Sequence, residues 1–198
     1  MALSGKEWVN QFPTSRDVED LNSPFRENVK RFLQAMRDAG CSITISATYR
    51  PKERAHLMHY AFRIAREGLS PVGIPKLEGV DIQWDHRKAN GQLDLVASRN
   101  AAEEMVLAYG IAFKPALSSN HTRRTAIDMT ITWSGTLKIK NASGTVVTIS
   151  SGPRTGQNGT LVKVGATYKV IKLQSDPPHW SENGRLRANG RRALPTKC

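Results

Sequence analysis

Helix signals and strand signals are segregated along this chain, and that order constrains its fold more than any other feature. The segment from Ser23 to Gly40 is punctuated as a helix. Ser23 can cap it, Pro24 suits its first turn and Gly40 suits its stop, while Phe25, Val29, Phe32, Leu33 and Met36 fall on one face. The alternating, β-branched run Cys41 to Ser46 reads as a strand leaving that helix. Pro51 opens a second helix towards Gly68, with Leu57, Tyr60, Ala61, Ile64 and Ala65 on its apolar side. A third is expected from about Ser98 to Tyr109, stopped by Gly110. Between these two, the Pro- and Gly-rich text of 68–91 reads as a long surface loop.

From Ala126 onward the text is mostly strand. Ala126 to Trp133, a Ser134-Gly135 turn, Thr136 to Lys140, a second turn over 141–144 and Thr145 to Ile149 together predict an antiparallel meander. A short helix over Thr155 to Tyr168, weakened by Gly159 and Gly165, leads into a strand from Tyr168 to Leu173. Helices first and antiparallel strands after predict an α+β fold, with N-terminal helices packed on a mainly antiparallel sheet. The expected organisation is one domain over 1–180, with the meander near 133–150 as an elaboration, and a basic tail over 181–198 carrying Arg185, Arg187, Arg191, Arg192 and Lys197.

Hydrophobic residues at 39% and charged residues at 23% are ordinary for a folded soluble domain and exclude wholesale disorder. The opening MALSGKEWVNQF lacks the basic and apolar regions of a secretory signal, and no apolar run is long enough for a transmembrane segment. Synthesis in the cytoplasm without a signal peptide is therefore expected. The balance of 29 Lys and Arg against 17 Asp and Glu gives +12, a field that attracts polyanions of any kind, whether nucleic acid, anionic lipid or envelope polymers. Cys41 and Cys198 form neither a CxxC pair nor a disulfide framework; Cys41 reads as a small core residue and Cys198 as a tail thiol.

Two of the five histidines stand beside acids in polar, turn-like text that borders apolar strands: Ser119-Asn120-His121 through Asp128, and Asp176-Pro177-Pro178-His179-Trp180. Zinc accepts imidazole nitrogen and carboxylate oxygen, and a catalytic site uses three protein ligands with a fourth position for water. His121, Asp128 and His179 supply such a set. Asp176 lies three residues before His179, where a carboxylate beside the metal can move a proton from the water to a leaving amine. Taken singly, a His near an Asp is more often a hydrogen-bonded pair or a surface accident. His56 and His59 read as helix-face residues, and His86, on the long loop, is assigned no role in a site.

In combination these residues resemble the zinc D-alanyl-D-alanine carboxypeptidase and L-alanyl-D-glutamate endopeptidase family, the VanY-like peptidases that include many phage endolysins. That family carries Ser-x-His-x-x-Gly-x-Ala-x-Asp, matched by Ser119, His121, Ala126 and Asp128. It later carries a Glu or Asp three residues before a His often followed by an aromatic, matched by Asp176, His179 and Trp180. Ser46-Ala47-Thr48-Tyr49-Arg50 is similar to the family's Ser-Gly-Tyr-Arg segment. The chain departs at Arg124, which stands at the family's glycine; an arginine is tolerated there if the backbone is not left-handed.

The resemblance implies a zinc peptidase acting on peptidoglycan stem peptides, at the terminal D-Ala-D-Ala bond or at the L-Ala-D-Glu bond, with Asp176 tilting towards cleavage inside the stem. It implies that Arg50 binds a substrate carboxylate or the oxyanion, and that Ser119 and Trp180 contribute to substrate binding, although Ser119 equally suits a turn. Action on the wall after lysis or export follows, with the basic surface held by anionic envelope polymers. A nucleic-acid-binding protein is the main alternative, but the chain has no zinc finger, RNP aromatic signature or helix-turn-helix, so no specific nucleic acid is expected. A zinc-containing envelope-binding module without activity is the third reading.

Overall fold

The computed structural model describes residues 1–185. The expected basic tail from 186 on, with Cys198, lies outside the described residues. In chain order the elements are β1 (Ala2–Leu3), α1 (Phe25–Asp38), β2 (Ser42–Ala47), α2 (Lys52–Arg66), β3 (Ile82–Gln83), α3 (Leu95–Tyr109), β4 (Ala126–Thr132), β5 (Leu137–Lys140), β6 (Val146–Ile149), α4 (Gly159–Thr167), β7 (Ile171–Lys172) and β8 (His179–Ser181). The fold is α+β. A four-stranded antiparallel sheet has the order β2-β4-β8-β7, β5 and β6 form a separate antiparallel hairpin, and β1 pairs with β3 in parallel.

The chain divides into two compact units, one of 1–14 with 50–118 and one of 15–49 with 119 onward. In the first, Leu57, Tyr60, Ala61 and Ile64 of α2 pack with Ala102, Met105 and Val106 of α3. Pro51 precedes α2, as its fixed φ favours. Helix α3 begins earlier than the periodicity predicts because the Asp94 carboxylate caps it, accepting the Ala97 N–H at 2.9 Å. Gly110 ends it in the left-handed region at φ 65°. The stretch 68–91 is not simply a surface loop: Val80 and Trp84 enter this core, and Ile82 and Gln83 pair with β1. Isolated large apolar residues in Pro- and Gly-rich text carry no periodicity, which is why the pattern missed them.

In the second unit, Phe25, Val29, Phe32, Leu33 and Met36 are buried from one face of α1, as their spacing predicts. The helix closes in a Schellman motif: Gly40 N–H donates to Arg37 O and Cys41 N–H to Met36 O, with Gly40 at φ 88°. Cys41 is half-buried, and burial pushes its thiol up to about 11. The core continues through Ile127, Met129 and Ile131 of β4, Leu137 and Ile139 of β5, Ile149 of β6, Leu161 and Val164 of α4, and Trp180 of β8.

The expected meander is corrected. β4 runs between β2 and β8 in the main sheet, and only β5 and β6 pair as a hairpin. The predicted strand over 168–173 shrinks to Ile171–Lys172, and β8, too short for a period to register, completes the sheet. Ser181, read as tail, is a fully buried member of β8.

The two glycines that seemed to weaken α4 have structural reasons. Gly159 is its first residue, preceded by Asn158, whose side chain accepts the N–H groups of Thr160 and Leu161. Gly165 lies against the indole of Trp180, and a Cβ there would fall 2.7 Å from Trp180 Cζ3, 3.0 Å from Val170 O and 3.2 Å from Phe32 Cε1. Since Trp180 is wholly buried, the ring has no room to retreat. Gly165→Ala is therefore expected to lower the unfolding free energy by about 1–2 kcal/mol, overpacking outweighing the helix propensity that alanine adds. Urea denaturation reads this directly, and an unchanged or raised midpoint would contradict the packing described.

Candidate metal centre

Strand alternation decides which side chains leave the core. Ile127, Met129 and Ile131 point inward from β4, so Asp128 faces the other way. On β8, Trp180 points inward and His179 outward by the same rule. The antiparallel register sets Asp128 opposite His179 and Ile127 opposite Trp180. Carboxylate and imidazole thereby meet as a cross-strand pair, Asp128 Oδ1 lying 3.0 Å from His179 Nδ1. On its other edge Asp128 pairs with Ala47, at an irregularity in the β2 register between Ile45 and Ala47.

His121 arrives from the turn before β4. Its Nε2 lies 3.1 Å from Asp128 Oδ1 and 3.2 Å from His179 Nδ1, so three atoms form a nearly equilateral triangle. Both imidazoles are almost fully buried and Asp128 is partly buried. The outer nitrogen of each ring faces a carbonyl: His121 Nδ1 donates to Thr48 O at 2.8 Å, and His179 Nε2 donates to Arg185 O at 3.0 Å. A carbonyl oxygen can only accept, so the protons of the neutral rings sit on these outer nitrogens. The inner nitrogens, His121 Nε2 and His179 Nδ1, then present lone pairs to each other and to the carboxylate.

Three acceptors at such separation repel one another unless a cation or a proton lies among them. The group could hold a metal ion, and the rings are already turned to offer it two nitrogens and an oxygen. Without an ion, a proton on an inner nitrogen relieves the repulsion. Burial then pushes the Asp128 carboxyl up, but hydrogen bonds and charge from His121 and His179 outweigh burial and hold it well below the usual carboxylate range.

The turn that carries His121 is closed by its own side chains. Ser119 Oγ accepts the Thr122 N–H at 3.3 Å, and Thr122 Oγ1 accepts the Ser119 N–H at 2.8 Å. The turn ends as a Schellman motif, with Thr125 N–H on Asn120 O, Arg124 N–H on His121 O and Arg124 at φ 63°. Arg124, at the position where the family pattern has glycine, is thus left-handed, so the condition for an unstrained arginine there is not met. Its guanidinium lies 4.1 Å over the centre of the Tyr49 ring, a contact that offsets part of the backbone strain.

Asp176 lies in the turn between β7 and β8, where its carbonyl accepts the His179 N–H at 3.1 Å. Lys172, which sequence reasoning passed over, ties this turn together. Its buried ammonium donates to Leu173 O at 2.6 Å, Asp176 O at 2.5 Å and His179 O at 3.2 Å. Burial lowers its pKa, and Asp176 and Asp128 draw it back up. The signal was misleading in the sequence: Ile171 is the exposed residue of that strand and Lys172 the buried one.

Ser119 serves its turn, matching the second of the two roles open to it. Trp180 is 0% exposed and packs on Phe32 at 5.5 Å between ring centres. It has no surface to offer a substrate, which corrects the expected binding role. Arg50 belongs to the first unit, immediately before the proline that opens α2. His56, His59 and His86 also belong there; His59 Nδ1 donates to Pro115 O, and His86 Nε2 lies against the Ser4 hydroxyl and carbonyl.

No protein-family model matches the chain, and no curated protein does.

Two outcomes are expected of this geometry. A divalent ion and a proton compete for the same imidazole nitrogens, so affinity measured by calorimetric titration should fall as the pH is lowered. An affinity independent of pH would rule out imidazole ligation. At the left-handed position, Arg124→Gly should exceed Arg124→Ala in stability by about 1 kcal/mol, because only glycine is free of the steric penalty; equal stabilities in chemical denaturation would contradict the backbone described.

Proposed function

We propose that the chain is a zinc-dependent peptidase that hydrolyses an amide bond in the stem peptides of bacterial peptidoglycan. One observation carries the reading: the residues of the sequence motif, His121, Asp128 and His179, converge with both imidazoles turned lone-pair inward by backbone carbonyls. Zinc bound tetrahedrally at about 2.0–2.1 Å sets its ligand atoms about 3.3 Å apart. Edges of 3.0, 3.1 and 3.2 Å lie close to that, and a catalytic zinc held by three protein ligands keeps its fourth position for water. The substrate class rests on the resemblance to the VanY-like peptidases, in which the same three positions are the ligands.

When bound there, zinc supplies a Lewis acid that activates water and polarises the scissile carbonyl. Asp176 takes the proton of the attacking water and returns it to the leaving amine. The Lys172 ammonium holds the turn on which Asp176 and His179 sit, so that acid and ligand keep a fixed spacing. Arg50 binds a carboxylate of the stem peptide or the developing oxyanion. Ser119 and Thr122 keep the His121 turn closed while substrate enters and leaves. The +12 charge of the chain favours retention on an anionic envelope, weakening as salt rises.

Purified peptidoglycan treated with the zinc-loaded protein should release peptides identifiable by mass spectrometry, and the new termini name the bond. Chelation should abolish release, and Asp176→Ala should slow it by about 10²–10⁴-fold while leaving zinc content unchanged. A folded, zinc-loaded protein that releases nothing would refute the reading.

A further inference from the structure

We propose that residues 181–185 form an outer wall of the metal centre, in which Asn120, Ser181 and Asn183 clamp the Arg185 carbonyl onto His179, so that metal binding and the seating of this segment are one coupled equilibrium. The inference rests on the metal-binding part of the reading above and is independent of the substrate.

The Arg185 carbonyl accepts from His179 Nε2 at 3.0 Å, from Asn120 Nδ2 at 2.5 Å and from Ser181 Oγ at 3.2 Å. Asn183 Oδ1 is the second hub, accepting from Asn120 Nδ2 at 2.8 Å, from the Arg185 N–H at 3.0 Å and from Ser181 Oγ at 3.3 Å. Ser181 has one hydroxyl proton and serves one of the two hubs at a time. Asn120 and Ser181 are fully buried, and both belong to elements already fixed by the site, the His121 turn and β8. The amide of Asn120 therefore links the segment following one ligand to the turn carrying another.

The consequence for the metal is direct. His179 offers Nδ1 as a lone pair only while its proton stays on Nε2, and the partner that keeps it there is the Arg185 carbonyl. That carbonyl is not part of a helix or strand, and its hydrogen bonds to His179, Asn120 and Ser181 hold it in place. An ion on Nδ1 withdraws charge from the ring and strengthens the Nε2–H bond to the carbonyl. By reciprocity, the ion seats the segment as much as the segment favours the ion. The start of what the sequence presents as a basic tail is thus part of the site.

The test uses the full chain. Zinc affinity is measured by competition with a chromophoric chelator, the ligand field by Co²⁺ absorption, and seating by hydrogen exchange at the Arg185 amide with and without zinc. Asn183→Ala should weaken zinc binding by about 10–100-fold and alter the Co²⁺ spectrum. Asn183→Asp keeps the acceptor oxygen and should restore both. Asn120→Asp, which removes the donor at nearly constant shape, should behave as Asn183→Ala. Zinc should slow exchange at Arg185 in the wild type and not in Asn183→Ala. Wild-type affinity and an unchanged Co²⁺ spectrum in both Asn183→Ala and Asn120→Asp would overturn the clamp while leaving the metal centre standing; a wild-type chain that binds no zinc would overturn the metal centre itself, and the clamp with it.

Discussion

The pairing of Asp128 with His179 across the β4–β8 ladder is the constraint on which the site depends. A register slip of one residue in β8 would exchange His179 with Trp180, turning an indole outward and an imidazole into the core. Burial of Trp180 against Phe32 and Gly165 opposes that slip. The core face of β8 therefore fixes the chemistry of its other face, and α4 can approach closely only because residue 165 has no side chain.

Once the register is set, the backbone completes the site. Thr48 O, just after β2, and Arg185 O, after β8, each accept the outer N–H of an imidazole and leave the inner nitrogen as the lone-pair donor. Lys172 donates to the carbonyls of Leu173, Asp176 and His179, tying the turn to the start of β8. The Schellman turn before β4 delivers His121 and requires a left-handed residue at 124, which the chain fills with an arginine laid on Tyr49. Each support involves a carbonyl or a backbone angle.

That explains what the sequence made legible. The apolar stripe of α1, the Pro51 start of α2, the Gly110 stop of α3 and the strand around Asp128 follow from periodicity and punctuation, and the structure has them. The ligand residues stand out because His and Asp in polar text beside strands are chemically distinctive. Thr48 and Arg185 act through carbonyls that every residue possesses, so no residue type announced them. Trp180 was misread because an aromatic after a ligand histidine suggests substrate contact, whereas alternation from a buried His179 sends its neighbour into the core. The β4-to-β5 meander was misread because adjacency in sequence was taken for adjacency in the sheet, while β2 and β8, distant along the chain, hold the two edges of β4.

His121 Nε2, Asp128 Oδ1 and His179 Nδ1 are set to share one ion, and a crystal structure of the zinc-loaded protein, with anomalous differences measured at the zinc edge, would locate it. One dominant anomalous peak is expected about 2.0–2.2 Å from these three atoms, with the outer ring nitrogens still on Thr48 O and Arg185 O. A peak bound through the outer nitrogens, or zinc found elsewhere with the triangle intact, would contradict it.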